Sequence, residues 1–136
     1  MNDTIETEIQ AKGLTAPRIT PDDIEKNISS EHYFTAAEGL IGVVAISDAK
    51  GKQLGDNVRV SVAVSVPESL ELLTFCVLVL KNGFTVTGES ACASPENFDA
   101  EIGRKIARKN AIDKVWPLMG YQLKTQIADL KTLITK

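Results

Sequence analysis

Alternating apolar and polar positions predict a β-hairpin in the middle of this chain. Two runs rich in β-forming residues, 73–80 and 84–90, flank Asn82-Gly83, a pair that favours a tight hairpin turn. If those two residues form the turn, Lys81 pairs with Phe84 across the hairpin. The core face of the hairpin then carries Phe75, Val77, Val79, Phe84 and Val86.

Helical signals lie on both sides of the hairpin. Thr20-Pro21-Asp22-Asp23 has the cap, the first-turn proline and the acidic first turn of a short helix, which we expect to end near Ser29. Two C-terminal helices, 98–116 and 118–134, are predicted on either side of Pro117. Their apolar stripes are Phe98, Ile102, Ile106 and Val115 in the first helix, and Leu123, Ile127, Leu130 and Ile134 in the second.

The remaining segments complete the predicted organisation. Residues 1–18 are expected to be a flexible N-terminal tail, and 19–136 a single α+β ligand-binding domain. Valine at every second position over 58–66 predicts a half-buried strand, and 47–57 has the turn residues of an exposed loop. Thr35 and Glu38 have capping-box spacing, whereas 40–46 fits a helix or a strand equally well. The predicted fold is therefore α+β: an antiparallel β-sheet core of three to five strands with a short N-terminal helix and two C-terminal helices.

Composition and charge narrow the class of protein. With 136 residues and 43 % hydrophobic content, the chain can build one core, and no apolar run approaches the length of a membrane helix. The N-terminus lacks a secretory signal pattern, so we expect an intracellular protein. The net charge of −3 is uneven, with +4 over 97–136 and −7 over 1–96. This distribution argues against general duplex binding and leaves room for a small anion held locally.

The sequence offers little for catalysis or metal binding. His32 is the single histidine, Cys76 and Cys92 form no CxxC pair, and nucleophile-elbow, Walker and dinucleotide-binding motifs are absent. We therefore expect no enzyme activity, no cofactor and no metal site. The hairpin register places the two cysteines on opposite faces, so a disulfide is not expected.

One segment combines groups that suit an anionic ligand. Arg104, Lys105, Arg108 and Lys109 form two i,i+4 basic pairs on one helix. Hydroxyls of Thr85 and Thr87 and the polar groups of Asn97 and Asp99 lie nearby in the predicted fold. Such groups can hold phosphates and a base or ribose, and Phe84 or Trp116 offers a stacking surface. The alternative is a solvated basic face paired with acids, with both aromatic rings in the core.

Four sequence blocks resemble a family of small phage proteins, the gene 49/gene 66-like family. They are LTFCVLVLKNGFTVTGESAC at 73–92, PENFDAEIGRKIA at 95–107, WPLMGYQL at 116–123 and SEHYFTAA at 30–37. The resemblance covers about 19–123, with 40–66 outside it or variable. This family is in turn similar to anti-Thoeris sponge proteins of the Tad type, which sequester the messenger glycocyclic ADP-ribose without cleaving it. Some of those proteins also hold cyclic oligonucleotides of the CBASS pathway.

The resemblance implies roles for individual residues. Phe84 is then the hairpin-tip aromatic that stacks on adenine, Asn97 and Asp99 make polar contacts to base or ribose, and Arg104 and Arg108 bind the pyrophosphate. It also implies a homo-oligomer acting in the host bacterial cytoplasm, with no membrane or nucleic-acid polymer as partner. The alternatives are a phage accessory protein that binds a host protein through its basic helix, a small nucleic-acid-binding protein, and a hydrolase of the same messenger.

Overall fold

Three antiparallel strands form the central sheet of the protein, in the order β1-β2-β3. The computed structural model describes residues 3–53 and 65–135. In it, β1 spans Ile28–Thr35, β2 Leu73–Leu80 and β3 Thr85–Ala91. Helices precede and follow these strands, so the fold is of the predicted α+β class.

Strand β1 is an element that the sequence pattern did not indicate. It pairs with β2 so that Ser30 lies opposite Val79 and Thr35 opposite Thr74, with a register shift between Ile28 and Ser30. Such a shift breaks the period-two alternation by which a strand is recognised in a sequence. The burial of β1 is accordingly irregular along its length.

The hairpin forms where it was predicted, but its register differs by one residue. Leu80 and Phe84 close the turn, with the Leu80 N–H donating to the Phe84 carbonyl at 2.8 Å, and the loop holds three residues instead of two. Gly83 adopts φ +88°, whereas Asn82 does not have positive φ. This arrangement is a type I turn followed by a glycine bulge. The predicted two-residue turn was therefore wrong.

The register difference exchanges the two faces of β2. Shifting a strand by one residue moves each side chain to the opposite face. Thr74, Cys76, Leu78 and Leu80 are buried on the face that meets the long helix, with Val86 of β3. The predicted core residues Phe75, Val77 and Val79 lie on the other face, and Phe84 is 55 % exposed.

Four helices lie before β2 in the described part of the chain, and all but the 18-residue α3 are short. They are α1 at Asp3–Ala11, α2 at Pro21–Asn27, α3 at Ala36–Gln53 and α4 at Glu68–Glu71. The structure thus has a helix where the sequence suggested an irregular tail. The guanidinium of Arg18 donates to both carboxylate oxygens of Glu6, at 2.7 and 2.9 Å, and so connects α1 to the start of α2. The domain boundary near residue 18 stays a prediction.

Both helix starts predicted from capping residues are present, and at Thr20, where only a cap was predicted, the structure has a full capping box. Thr20 and Asp23 exchange backbone and side-chain hydrogen bonds at the start of α2, and Thr35 and Glu38 do the same before α3. Because α3 continues to Gln53, residues 40–46 are helical, and the loop predicted from 47 is helix up to 53. Most of the strand predicted over 58–66 lies outside the described residues, and residues 65–67 have no regular structure.

One long helix replaces the two predicted at the C-terminus. Helix α5 runs over Ala100–Ile134, 35 residues, with Pro117 inside it. A proline removes a single backbone N–H and bends a helix, but it need not end one. Phe98, predicted in the first helix, lies just before α5, after a short 3-10 turn at Pro95–Asn97.

Small side chains let α5 approach the sheet closely. The buried residues of α5 are Gly103, Ala107, Ala111 and Val115, whereas Ile102 and Ile106, predicted to face the core, are 55 % and 45 % exposed. A Cβ on Gly88 of β3 would overlap the Ala107 carbonyl oxygen and the Ala111 nitrogen. Ile24 of α2 completes the core, in which the larger buried aliphatic side chains contribute about 1.5–3 kcal/mol each.

Candidate functional site

A cavity of about 300 Å³ lies at the end of the sheet where β1 terminates and β2 begins. Both α3 and α5 begin at this end, because each follows a strand that terminates there. We call the cavity the Arg104 pocket. It is lined by Tyr33, Phe34, Thr35, Glu38, Thr74, Phe98, Ala100 and Arg104.

Local hydrogen bonds fix the β1 side of the Arg104 pocket. The Glu38 carboxylate accepts the Thr35 N–H at 3.0 Å, and the Thr35 hydroxyl accepts the Glu38 N–H at 3.1 Å. Phe34 packs near Gly39 and against Phe75, with ring centroids 5.6 Å apart. Because Phe75 lies on the sheet face turned away from α5, the Phe34 ring lies on that face too, and Phe98 is the aromatic residue of the lining on the α5 side. The start of α3 holds the Glu38 carboxylate of the pocket.

Thr74, which lines this pocket, has an enclosed hydroxyl without a hydrogen-bond partner among the described residues. The residue is 3 % exposed, and its hydroxyl forms no hydrogen bond with any residue that the structure describes. Leaving a buried hydroxyl unsatisfied costs about 1–3 kcal/mol. It lies beneath α5, where a Cβ on Gly103 would come within 3.1 Å of its Oγ1. A bound ligand or water that hydrogen-bonds to this hydroxyl would remove the cost.

The four basic residues at the start of α5 differ in their ion pairing. Lys105 pairs with Glu101 at 3.2 Å, and Lys109 with Asp113 at 3.6 Å. Arg108 pairs with two carboxylates. Arg104 has no ion pair with the described part of the chain, although it lines the pocket. Its guanidinium is therefore available to an anion.

Arg108 forms hydrogen bonds with two carboxylates of the same chain. Its Nη1 and Nη2 donate to Glu25 at 2.9 and 2.6 Å, and its Nε donates to Glu31 at 3.0 Å. These hydrogen bonds lower the pKa of Glu25 and raise that of Arg108. Tyr33 donates to Glu31 at 3.1 Å, and burial raises the Tyr33 pKa. Arg108 thus joins α5 to α2 and β1, and each of its three nitrogens already donates to a carboxylate.

Phe84 lies at the opposite end of the sheet from Arg104. It borders a groove of about 230 Å³, the Phe84 groove, with Asn27, Leu80, Asn82, Leu118, Met119 and Gln122. Leu80 lies six positions after Thr74 along β2, which corresponds to about 20 Å. A compact ligand bound at Arg104 therefore cannot stack on Phe84 of the same chain.

The other predicted site residues take three positions. Thr85 and Thr87 lie on the sheet face turned away from α5, where the Thr87 hydroxyl donates to Glu89 at 3.4 Å. Asn97 ends the 3-10 turn and is exposed. Asp99 caps α5 by accepting the Ile102 N–H at 3.0 Å, so it occupies part of the helix N-terminus that an anion would use. The structure therefore divides the predicted cluster and leaves only Arg104 of it in the pocket.

A family model matches residues 19–127, most of the chain. The chain belongs to the phage protein (N4 Gp49/phage Sf6 gene 66) family. The resemblance to a small phage family is thereby confirmed. Comparison with curated proteins and with solved structures gives no match.

Sequence reasoning missed several pocket residues of this phage-family protein. Tyr33, Phe34 and Thr74 reach the pocket because β1 pairs with β2 and because Thr74 faces the helix, and both facts depend on registers that the sequence did not indicate. The capping box at Thr35 and Glu38 was the available signal. It located the start of α3 but not the cavity beside it.

Outside the pocket, the described part of this phage-family protein has few reactive or metal-ligating side chains that lie close together. His32 Nε2 lies 3.1 Å from the Ser30 hydroxyl on the exposed sheet face, away from the pocket. Cys76 is buried and Cys92 half-buried, and both are free thiols. Within 3–53 and 65–135, no three His, Cys, Asp or Glu residues are grouped to hold a metal ion. No helix in those ranges is long and apolar enough to cross a membrane.

Proposed function

We propose that this phage protein binds and sequesters a nucleotide immune second messenger without cleaving it. The messenger is glycocyclic ADP-ribose, with cyclic oligonucleotides as a second ligand class. Sequestration in the host bacterial cytoplasm would block Thoeris or CBASS signalling. The Arg104 pocket is the proposed binding site.

The guanidinium of Arg104, which forms no ion pair within the described residues, is the observation that carries this proposal. An arginine can bind two phosphate oxygens at once, and it does so most strongly when no protein carboxylate competes. Lys105, Arg108 and Lys109, on the same helix, each have acidic partners within the chain. Arg104 instead lines a cavity of about 300 Å³.

The remaining walls of the pocket suit the non-phosphate part of a nucleotide. Phe98 provides apolar aromatic surface for a base. The Glu38 carboxylate can accept hydrogen bonds from ribose hydroxyls or an exocyclic amine, and the Thr74 hydroxyl has an unused donor and acceptor. An anion site beside a planar apolar wall is the combination that a nucleotide requires.

Sequestration places no demand on catalytic groups. A messenger present at micromolar concentration or below requires a binding free energy of about −10 to −12 kcal/mol, and no nucleophile or general base. The resemblance to Tad-type sponges supports the same activity. These two arguments favour binding over hydrolysis.

The alternative function, binding of a host protein through the basic helix, has less support. Three of the four basic residues at the start of α5 pair with acidic neighbours. A docking face for an acidic partner would need those charges unpaired. The same pairing argues against a nucleic-acid-binding role.

Isothermal titration with glycocyclic ADP-ribose, followed by titration with cyclic oligonucleotides, tests the proposal. We expect Arg104→Met to weaken binding by about 10- to 100-fold, the loss of one charge-assisted contact. Lys105→Met, the matched control on the next helix position, should bind as the wild type does. Equal losses in both variants would contradict a specific role for Arg104. A loss in Phe84→Ala but not in Arg104→Met would place the ligand at the Phe84 groove instead.

Thr74→Val separates ligand binding from stability. Removing the unsatisfied hydroxyl should raise the free energy of unfolding of the ligand-free protein by about 1 kcal/mol. If the hydroxyl contacts the ligand, the same substitution should weaken binding. Unchanged affinity would show that Thr74 does not contact the ligand.

Mass analysis of ligand released by heat should recover it intact, and altered ligand would contradict sequestration without cleavage.

A further inference from the structure

The second half of α5 carries an apolar stripe outside the core. Val115 is the last buried residue of the helix, and Met119 the last that packs against the core. Beyond them, Leu123, Ile127, Leu130 and Ile134 follow one another at intervals of four, three and four residues. We call these four residues the α5 seam. Their spacing is that of the a and d positions of a coiled coil.

The α5 seam is open to solvent where the helix extends from the body. Leu130 is 58 % and Ile134 81 % exposed, whereas Leu123 and Ile127 are half-buried. Most helical stability in proteins comes from packing of an apolar face, and the core covers α5 only as far as Met119. A partner helix on the seam would bury its apolar side chains.

Residue types in the α5 seam specify that partner. Isoleucine occupies both a positions, Ile127 and Ile134, and leucine both d positions, Leu123 and Leu130. This arrangement favours two parallel strands. We propose that a second copy of this chain packs on the α5 seam to form a parallel homodimer. The inference does not depend on ligand binding.

The flanking charges favour the same orientation. Lys124 and Lys131 occupy the e positions beside the seam, and Gln126 the intervening g position. In a parallel pair, each Lys131 faces Gln126 of the other copy, so no like charges meet. An antiparallel pair would place the two lysine rows against each other, which is unfavourable.

Light scattering across a dilution series tests the dimer. The wild-type mass should approach twice 14.7 kDa at high concentration. The double variant Ile127→Lys, Leu130→Lys should remain a monomer, with the circular dichroism of a folded body. The matched control Thr125→Lys, Thr132→Lys adds the same charges on the face opposite the seam and should still dimerise. A wild-type monomer at every concentration, or a seam variant that still dimerises, would overturn the proposal.

Cross-linking tests the orientation. In a Cys92→Ser background, Ile134→Cys places a thiol at the end of the seam, where a parallel dimer brings it beside its mate. Oxidation should then give a disulfide-linked dimer, whereas Thr132→Cys, on the opposite face, should not cross-link. A dimer by mass that fails to cross-link through residue 134 would overturn the parallel arrangement.

Discussion

The two halves of α5 use their side chains in opposite ways. From Gly103 to Val115, small residues face the sheet, and the backbone of the helix approaches β3 closely at Gly88. After Met119, large aliphatic residues lie on a stripe that the core does not cover. Close packing against the sheet stabilises the first half of α5. The second half would gain its stabilisation from a partner that packs on the apolar stripe.

This difference shows that hydrophobicity alone does not identify the core-facing side of a helix. Ile102 and Ile106 are larger and more apolar than Ala107 and Ala111, yet the two alanines are the ones fully buried. A helix that packs tightly on a sheet requires small side chains at the contact, because the packing density of a protein interior leaves no room for larger ones. Larger apolar residues of the helix, such as Ile102 and Ile106, then lie on its exposed side, where another molecule can contact them.

Filling the close contact is expected to have the largest effect on stability. A methyl group at Gly88 would overlap backbone atoms of Ala107 and Ala111, which cannot move without displacing α5. We expect Gly88→Ala to lower the free energy of unfolding by about 3 kcal/mol, measured by chemical denaturation. Thr87→Ala, its neighbour on the outer face of β3, should change the same quantity by less than about 0.5 kcal/mol. Similar effects in both variants would mean that α5 does not lie directly on β3.

Removing the Arg108 ion pairs is expected to have an intermediate effect. Its side chain is 28 % exposed and holds Glu25 and Glu31, so Arg108→Met should lower the free energy of unfolding by about 1 to 2 kcal/mol. Arg104→Met, which breaks no ion pair within the described residues, should leave it nearly unchanged. A larger loss in Arg104→Met would contradict the assignment of Arg108 as the structural arginine.

Acid should reduce the difference between wild type and Arg108→Met. Arg108 lowers the pKa of Glu25 below its ordinary value of 4.5, so the folded state binds this proton less readily than the unfolded state does. The stabilisation is therefore complete above pH 4.5 and is lost as the pH falls through the lower folded value. Denaturation curves of both proteins from neutral pH into this range measure it. A difference that stays constant in acid would contradict the ion pair.

A pair of glycines on α5 gives the smallest and most local test. Nothing lies within 4 Å of a Cβ added at Gly120, so Gly120→Ala should raise the free energy of unfolding by about 0.5 to 1 kcal/mol through helix propensity. At Gly103 the new methyl would lie 3.1 Å from the Thr74 hydroxyl, and the gain should be smaller or reversed. Equal gains at both positions would mean that the Gly103 contact is loose.

The sequence predicted well what depends on local hydrogen bonds. Thr20 and Thr35 cap helices as their spacing indicated, and the hairpin turns at Asn82-Gly83. The choice between a two-residue and a three-residue loop at that turn is a small energetic difference, yet it exchanges the two faces of β2. The core-facing residues of β2 were therefore predicted on the wrong side, whereas Val86 of β3 is buried as predicted.

The candidate site was harder to predict because it depends on contacts distant in sequence. Arg104 was identified from its place on a basic helix, but its distinction from Arg108 depends on Glu25 and Glu31, more than seventy residues earlier in the chain. Thr74 and Phe34 join Arg104 only through strand pairing. Spacing on one helix cannot show which of its charges are already paired elsewhere.

Chemical-shift mapping of the isotopically labelled protein with glycocyclic ADP-ribose tests the central claim most directly. The largest changes should fall on backbone amides of the Arg104 pocket, including Phe34, Thr74 and Arg104, while Thr85 and Thr87 on the outer sheet face stay unchanged. Saturable changes confined to the pocket would support a nucleotide site there. Changes confined to the outer face or the Phe84 groove, or no change at saturating ligand, would contradict it.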